Sequence, residues 1–519
     1  MKRIKFLLFI SVCFINVIKA QDINHNTIIK IANGTIQGEI DSCGIRTFKG
    51  IPYAQPPVGN LRWKEPQPVK NWNGIFKADH FGSRAMQRQV WNDMIFRSKN
   101  KSEDCLFLNI WTPAKSSFDR LPVLVYFHGG GFIAGDGSEY RYDGESMAKK
   151  GIVTITVNYR LGVFGFLAHP DLTKESVHHS SGNYGLMDQH AALLWVKKNI
   201  AAFGGDPKKI TIAGESAGAE SVCAQMATPL SKGLFVGAIA ESGSMLGNLL
   251  PVSLHAAEQN GIQFSKAVGA FSIEQLRKIS ADSLLKLSAA FNFPCTIDGY
   301  FMPESPDAIF STGKQIDVPL LAGWNSAEVN YHSLLGNEAP TLAAYKKVIK
   351  KIYGSRADEI LRLYHATTDS DVEQVATDLA SDRFIAYATW KFIDLHGKTD
   401  GKPVYRYCFT HKRPAMINTQ VSVDHLLGAV HASEIEYALG NLSFNRVYVW
   451  NSDDFKVSET MENFFVNFIR TGNPNGVGLP TWFGLQSSIP KVMMIDVKSQ
   501  SFPEKNLNRY LLLDSFYNH

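Results

Sequence analysis

Within the run Ile210-Thr-Ile-Ala-Gly-Glu-Ser-Ala-Gly-Ala219, one serine stands between two glycines at the spacing Gly214-x-Ser216-x-Gly218. β-branched residues lead into it, and small, helix-tolerant residues follow up to Met226. The pattern predicts strand, sharp turn, helix, with Ser216 at the turn. Such a turn lifts a serine hydroxyl clear of the sheet. Only glycine leaves room for strand and helix to close on either side of it. The helix beginning after Ser216 would aim backbone N–H groups at an oxyanion formed beside it.

A serine hydroxyl is a poor nucleophile until a base takes its proton, and the base needs a third group to hold it. In chains built this way the order is serine, acid, histidine. Asp298, Asp307, Glu328 and Asp382 satisfy that order as acids. His332, His365, His396, His411, His425 and His431 satisfy it as bases. Val318-Pro-Leu-Leu-Ala-Gly-Trp-Asn-Ser-Ala-Glu328 reads as strand then loop, which puts Glu328 just past a strand's C-terminal end, where catalytic groups sit in open α/β sheets. By the same reasoning His411, His425 and His431 stay level. A second chemical feature is Leu121-Pro-Val-Leu-Val-Tyr-Phe-His-Gly-Gly-Gly-Phe132, a nearly continuous apolar strand ending in three glycines. Their N–H groups can approach a ligand unobstructed, as a backbone oxyanion hole requires.

The elements that must position these groups follow an α/β rhythm. Strands are expected around Ile28–Ile31, Thr35–Glu39, Ser102–Trp111, Ile152–Asn158, Gly237–Ser244, Lys402–His411 and Val492–Asp496. A long helix is expected within Gly182–Phe203, with Leu186, Ala191, Leu194, Trp195 and Ile200 on its apolar face. Residues 250–315 read as helical cap segments walling a pocket, and 340–397 as several helices. Glu459–Arg470 reads as a late amphipathic helix.

Residues 1–20 carry a basic start, an apolar run from Phe6 to Ile18 and a final Ala20. This predicts a signal peptide cleaved after Ala20, hence a secreted or periplasmic protein; the run is too short to span a bilayer. The segment holds Lys2, Arg3, Lys5 and Lys19 and no acids, so its removal leaves 49 basic against 48 acidic residues. That balance excludes nucleic acid or an anionic membrane as a partner chosen by charge. With 45% hydrophobic residues and neither linker nor repeat, 21–519 reads as one large domain. Beyond Cys13, the cysteines Cys43, Cys105, Cys223, Cys295 and Cys408 are odd in number and fit no zinc spacing. Most read as small buried hydrophobes.

The segments Ser102-Glu-Asp-Cys-Leu, His128-Gly-Gly-Gly-Phe, Gly182-Asn-Tyr-Gly-Leu-Met-Asp-Gln189, Phe203-Gly-Gly-Asp-Pro207 and Gly214-Glu-Ser-Ala-Gly218 resemble, in order, those of the type-B carboxylesterase, cholinesterase-like family. The resemblance implies an α/β-hydrolase fold: a large, mostly parallel sheet flanked by helices, with helical cap insertions. Gly323-x-Asn325-x-x-Glu328 is similar to the family's acid motif, and Gly428-Ala-x-His431-x-x-Glu434 to its histidine motif. It thus implies Ser216 as nucleophile, His431 as base then acid, and Glu328 as orienter. Gly130, Gly131 and Ala217 would donate the oxyanion-hole N–H groups. The implied reaction is two-step acyl transfer on a small-molecule ester, without metal or organic cofactor, by a monomer or homodimer. Phe132 and Tyr331 are candidates to line the substrate pocket, and Tyr331 with Trp91 could face a cation. Exported members often pair the cysteine matching Cys105 with one upstream; Ala85 stands there, so that disulfide is expected to be missing, and Cys43 is only a conjectural substitute. Neuroligin-like relatives, adhesion proteins that have lost the triad, form the alternative, as does an esterase narrowed to one phenolic or xenobiotic ester. Retention of Ser216, Glu328, His431 and all three glycines argues for an enzyme.

Overall fold

The computed structural model describes residues 27–399, 401–417, 427–486 and 490–517. The expected signal peptide and His425 lie outside the described residues. The protein is built on an eleven-stranded sheet. Its strands are, in chain order, β1 (Glu39–Ile40), β2 (Arg46–Pro52), β3 (Phe107–Thr112), β4 (Leu121–Phe127), β5 (Val153–Val157), β6 (Gly205–Glu215), β7 (Gly237–Glu241), β8 (Leu320–Asn325), β9 (Val404–Phe409), β10 (Lys491–Ile495) and β11 (Gln500–Pro503). Across the sheet they run β11-β10-β9-β8-β7-β6-β4-β5-β3-β2-β1. The stretch from β10 to β5 is parallel, and antiparallel pairs close both edges. This is the mostly parallel sheet of an α/β-hydrolase. β4, β5 and β7 are buried along most of their length, as strands covered on both faces must be.

Register decides where the chemistry goes. Gly214 lies opposite Phe127, Glu215 opposite Glu241, and Glu241 opposite Gly323. The C-terminal ends of β4, β6, β7 and β8 are therefore level. The chain leaving each of them emerges at the same edge. Helix α1 (Tyr184–Asn199) packs beneath this edge. A bidentate ion pair between Arg160, just after β5, and Asp188 of α1 ties it there, with Nε–Oδ2 and Nη2–Oδ1 both at 2.7 Å. Both side chains are buried. The cap is tied in similarly. Asn183 donates to the Thr296 carbonyl at 2.7 Å and accepts the Thr296 N–H at 2.9 Å.

Several boundaries differ from expectation. On α1 Leu186 and Leu193 are buried, whereas Leu194 is 48% exposed. The late helix spans Ser452–Thr471 and starts seven residues earlier than its apolar periodicity suggests. Asn451 and Asp454 form a reciprocal capping box there, so the first turn is polar by construction. The strand expected from Ser102 begins only at Phe107. The extended run 34–40 breaks at Gly38, where any Cβ would overlap the Thr47 carbonyl oxygen. β11 and a C-terminal helix Leu507–Tyr517 complete the far edge. Cys105, Cys223, Cys295 and Cys408 are buried and free, and Cys43 is exposed and free.

Candidate active site

Ser216 caps helix α2 (Ala217–Ala227) with φ 55° and ψ −123°, a conformation that costs a non-glycine residue about 1–3 kcal/mol. The surroundings impose it. A Cβ on Gly214 would lie 2.5 Å from the Gly218 carbonyl oxygen and 2.7 Å from that of Phe127. One on Gly218 would overlap the Phe127 oxygen outright. Strand and helix thus close as the two-glycine spacing requires. The Ser216 N–H donates to the Glu241 carbonyl at 2.8 Å, fixing the turn to β7.

His431 bridges the serine and the acid. Its Nε2 lies 2.9 Å from Ser216 Oγ and its Nδ1 2.7 Å from Glu328 Oε2. A carboxylate only accepts, so Nδ1 carries a proton, and in the neutral ring Nε2 is the base facing the hydroxyl. Glu328 is itself held. Its Oε1 accepts the Asn325 N–H and the Ser242 hydroxyl, each at 2.7 Å, and its carbonyl accepts the His431 N–H at 3.0 Å. The competing candidates are spent elsewhere. His411 sits between Asp454 and Asp496, and His396 bonds the Val318 carbonyl. Asp307 pairs with Lys391, and Asp382 accepts the Tyr364 hydroxyl.

Beyond β4, Gly130 (φ 107°) and Gly131 (φ 60°) turn the chain, and a Cβ on the preceding Gly129 would lie 3.4 Å from the Ser216 Cβ. Among the described residues, the N–H groups of Gly130, Gly131 and Ala217 donate to no protein acceptor. A Cβ on Gly129 would sit 2.7 Å from the Glu215 carboxylate, so this loop packs against the elbow without slack. His128 stacks on Tyr159 at 4.4 Å and bonds the Gly129 carbonyl at 2.8 Å. Burial pushes its pKa down to about 4, so it supports the loop as a neutral ring.

The carboxylesterase family model matches residues 25–510. The chain belongs to the carboxylesterase family. Among its relatives, the fumonisin B1 esterase of Sphingopyxis macrogoltabida is 33% identical over 483 residues, spanning 86% of this chain and 83% of that protein. The para-nitrobenzyl esterase of Bacillus subtilis (strain 168) is 32% identical over 468 residues, spanning 86% and 90%. A solved carboxylesterase of Geobacillus stearothermophilus superposes with a TM-score of 0.80 at 30% identity, covering 94% of this chain and 99% of that one. The protein is a carboxylic ester hydrolase with the α/β-hydrolase fold.

In this carboxylesterase, Ser242 and Phe384 escape a reading of the sequence, and Asn325 enters it only as part of the acid motif. Ser242, at φ 50°, shares its hydroxyl between Glu328 at 2.7 Å and Glu434 at 3.2 Å. The Asn325 amide joins the same carboxylates, donating to Glu434. The signal for Ser242 was a second strand running into a Glu-Ser pair, as the elbow strand runs into Glu215-Ser216. Phe384 presents its ring edge-on to His431 at 5.1 Å and is 39% exposed. It sits in a π-helical turn, Asp382–Ala386, a distortion often found at functional sites. Of the pocket candidates, Phe132 packs on Phe166 at 5.0 Å beside the glycine loop. Tyr331 rests on His332 at 4.1 Å and against the core, and no contact among the described residues brings it to the triad. Trp91 is 41% exposed. Among the described residues no group of three or more His, Cys, Asp or Glu could hold a metal ion, and no helix is long and apolar enough to cross a membrane.

The local electrostatics set a pH dependence. Burial raises the Glu215 carboxyl to about 8. Its Oε1 lies 3.3 Å from His431 Nε2 without being aligned for a hydrogen bond. Burial alone would lower the His431 pKa, but Glu215, Glu328 and Glu434 together raise it above the ordinary imidazole value. To act as a base His431 must be neutral, so activity that relies on it is expected to fall as pH drops through this raised value. Above its own titration near 8 Glu215 is a carboxylate that favours the imidazolium, and Glu215→Gln removes that charge. The acid limb of kcat/KM should then move to lower pH, by on the order of one unit. A pH–rate profile of the variant beside the parent checks this; an unmoved limb would rule Glu215 out as its cause.

Proposed function

We propose that the chain is an exported serine esterase that works through an acyl-enzyme, with Ser216 as nucleophile, His431 as general base then acid, and Glu328 as its orienter. The observation that carries this reading is the unbroken chain of two hydrogen bonds from Ser216 through His431 to Glu328. Ser216 attacks the ester carbonyl as His431 takes its proton, and the N–H groups of Gly130, Gly131 and Ala217 receive the oxyanion. His431 then protonates the departing alcohol. Water reverses the roles and frees the carboxylic acid. Losing one oxyanion donor costs on the order of 10²–10³ in rate, so these N–H groups are a major part of the catalysis. Export rests on the basic and apolar pattern of residues 1–20.

The test is covalent. A p-nitrophenyl alkylphosphonate should leave one adduct, mapped by mass spectrometry to the peptide holding Ser216, with loss of ester hydrolysis in step. Activity persisting after stoichiometric labelling of Ser216, or label on another serine, would overturn the assignment. Hydrolysis of p-nitrophenyl acetate, butyrate and octanoate would then size the acyl pocket.

A further inference from the structure

A cavity of about 1100 Å³ contains none of the triad. It opens where the end of β2 meets the segments 69–83 and 97–107. Its apolar wall includes Trp72, Phe76, Phe81 and Phe107. Trp72 is fixed by donating its indole N–H to the Thr35 carbonyl at 2.9 Å, and its ring lies 5.5 Å from Phe76. Such a surface takes flat or chain-like apolar groups.

The rim is basic. Lys49, Lys70, Lys77, Lys99 and Arg97 face Asp79 and Asp104, and Asp79 is already bonded to His80 at 2.6 Å. This excess is local, because the expected mature chain is nearly neutral overall. Arg97 is occupied by Asp143 at 2.5 Å, and Lys77 by the Gln37 side chain. Lys49, Lys70 and Lys99 form no ion pair with a described carboxylate. Lys49 is also placed, its ammonium held over the Phe81 ring at 5.5 Å from the centroid. Unpaired cations around an aromatic hollow are complementary to one ligand chemistry: an apolar body with a single anionic head.

We infer that this cavity is a second, non-catalytic binding site for amphipathic organic anions such as aryl sulfonates and alkyl carboxylates. The head group meets Lys49, Lys70 and Lys99, and the body lies on Trp72, Phe76 and Phe107. The site stands apart from the triad and does not depend on how ester cleavage proceeds.

Titration with anilinonaphthalene sulfonate, followed by energy transfer from tryptophan, tests it on the whole protein. Saturable binding should be the same before and after phosphonylation of the active-site serine. Decanoate should displace the dye and decanol should not. The double variant Lys49→Glu/Lys99→Glu should bind at least tenfold more weakly while hydrolysing p-nitrophenyl butyrate normally, which shows that it is folded. Absence of saturable binding, loss of binding on phosphonylation, equal displacement by decanol, or unchanged affinity in the double variant would each overturn the inference.

Discussion

Ser216→Ala and His431→Ala should each lower kcat/KM for p-nitrophenyl butyrate by on the order of 10⁴–10⁶, and the double variant should be no worse than either one. The geometry explains the non-additivity. Ser216 Oγ and His431 Nε2 share one hydrogen bond at 2.9 Å, and in the proposed mechanism they act on one proton, so removing either partner removes the whole event. The residual rate would come from the free N–H groups at Gly130, Gly131 and Ala217, which both substitutions leave in place. Losses that multiplied in the double variant would mean that the two side chains act in separate steps. Steady-state rates on the four proteins of the cycle decide between these outcomes.

Asp188→Asn should lower unfolding stability by about 3–5 kcal/mol, read as a shift in the urea midpoint at unchanged slope. Arg160 would keep its charge in a site where it is 2% exposed, with its bidentate partner gone. Its remaining acceptors are the Lys64 carbonyl at 2.8 Å, the distant Tyr184 carbonyl and the single amide oxygen that asparagine keeps, whose NH2 now faces the guanidinium. Replacing both partners by apolar residues, Arg160→Met with Asp188→Leu, should recover much of the loss, because no orphaned charge then remains. A fall of under 1 kcal/mol in Asp188→Asn would mean that water reaches the guanidinium and that the pair is not dry.

How much of this was legible in the chain follows from how local each feature is. The elbow is written in five consecutive residues, because the constraint that selects Gly214 and Gly218 is contact between a strand and the helix directly after it. Glu328 could be favoured from its place beyond a strand. His431 could not be told from His411 or His425 by position; only the resemblance separated them. The separation in the structure is one of partners. His411 meets Asp454 and Asp496, while His431 meets Ser216 and Glu328. Ser242 reaches Glu328 and Glu434 across 86 and 192 residues, the Asn325 side chain reaches Glu434 across 109, and Phe384 meets His431 from a separate helical segment, and no periodicity encodes those contacts. The shifted start of the helix at Ser452 has a local cause, since its capping turn is polar and an apolar pattern cannot see it. Leu193 and Leu194 exchange roles because both are leucine, and only the neighbouring elements decide which one faces inward.

The level ends of β4, β6, β7 and β8 divide the chain into two kinds of sequence with different histories open to them. Inside the strands, a one-residue insertion would turn every following side chain to the other face, so change there is nearly forbidden. Beyond the shared edge, segments such as 250–315 can lengthen, shorten or be rewritten without disturbing that register. A lineage built on this frame can therefore explore new ester partners by editing loops, while the machinery that breaks the bond is inherited intact.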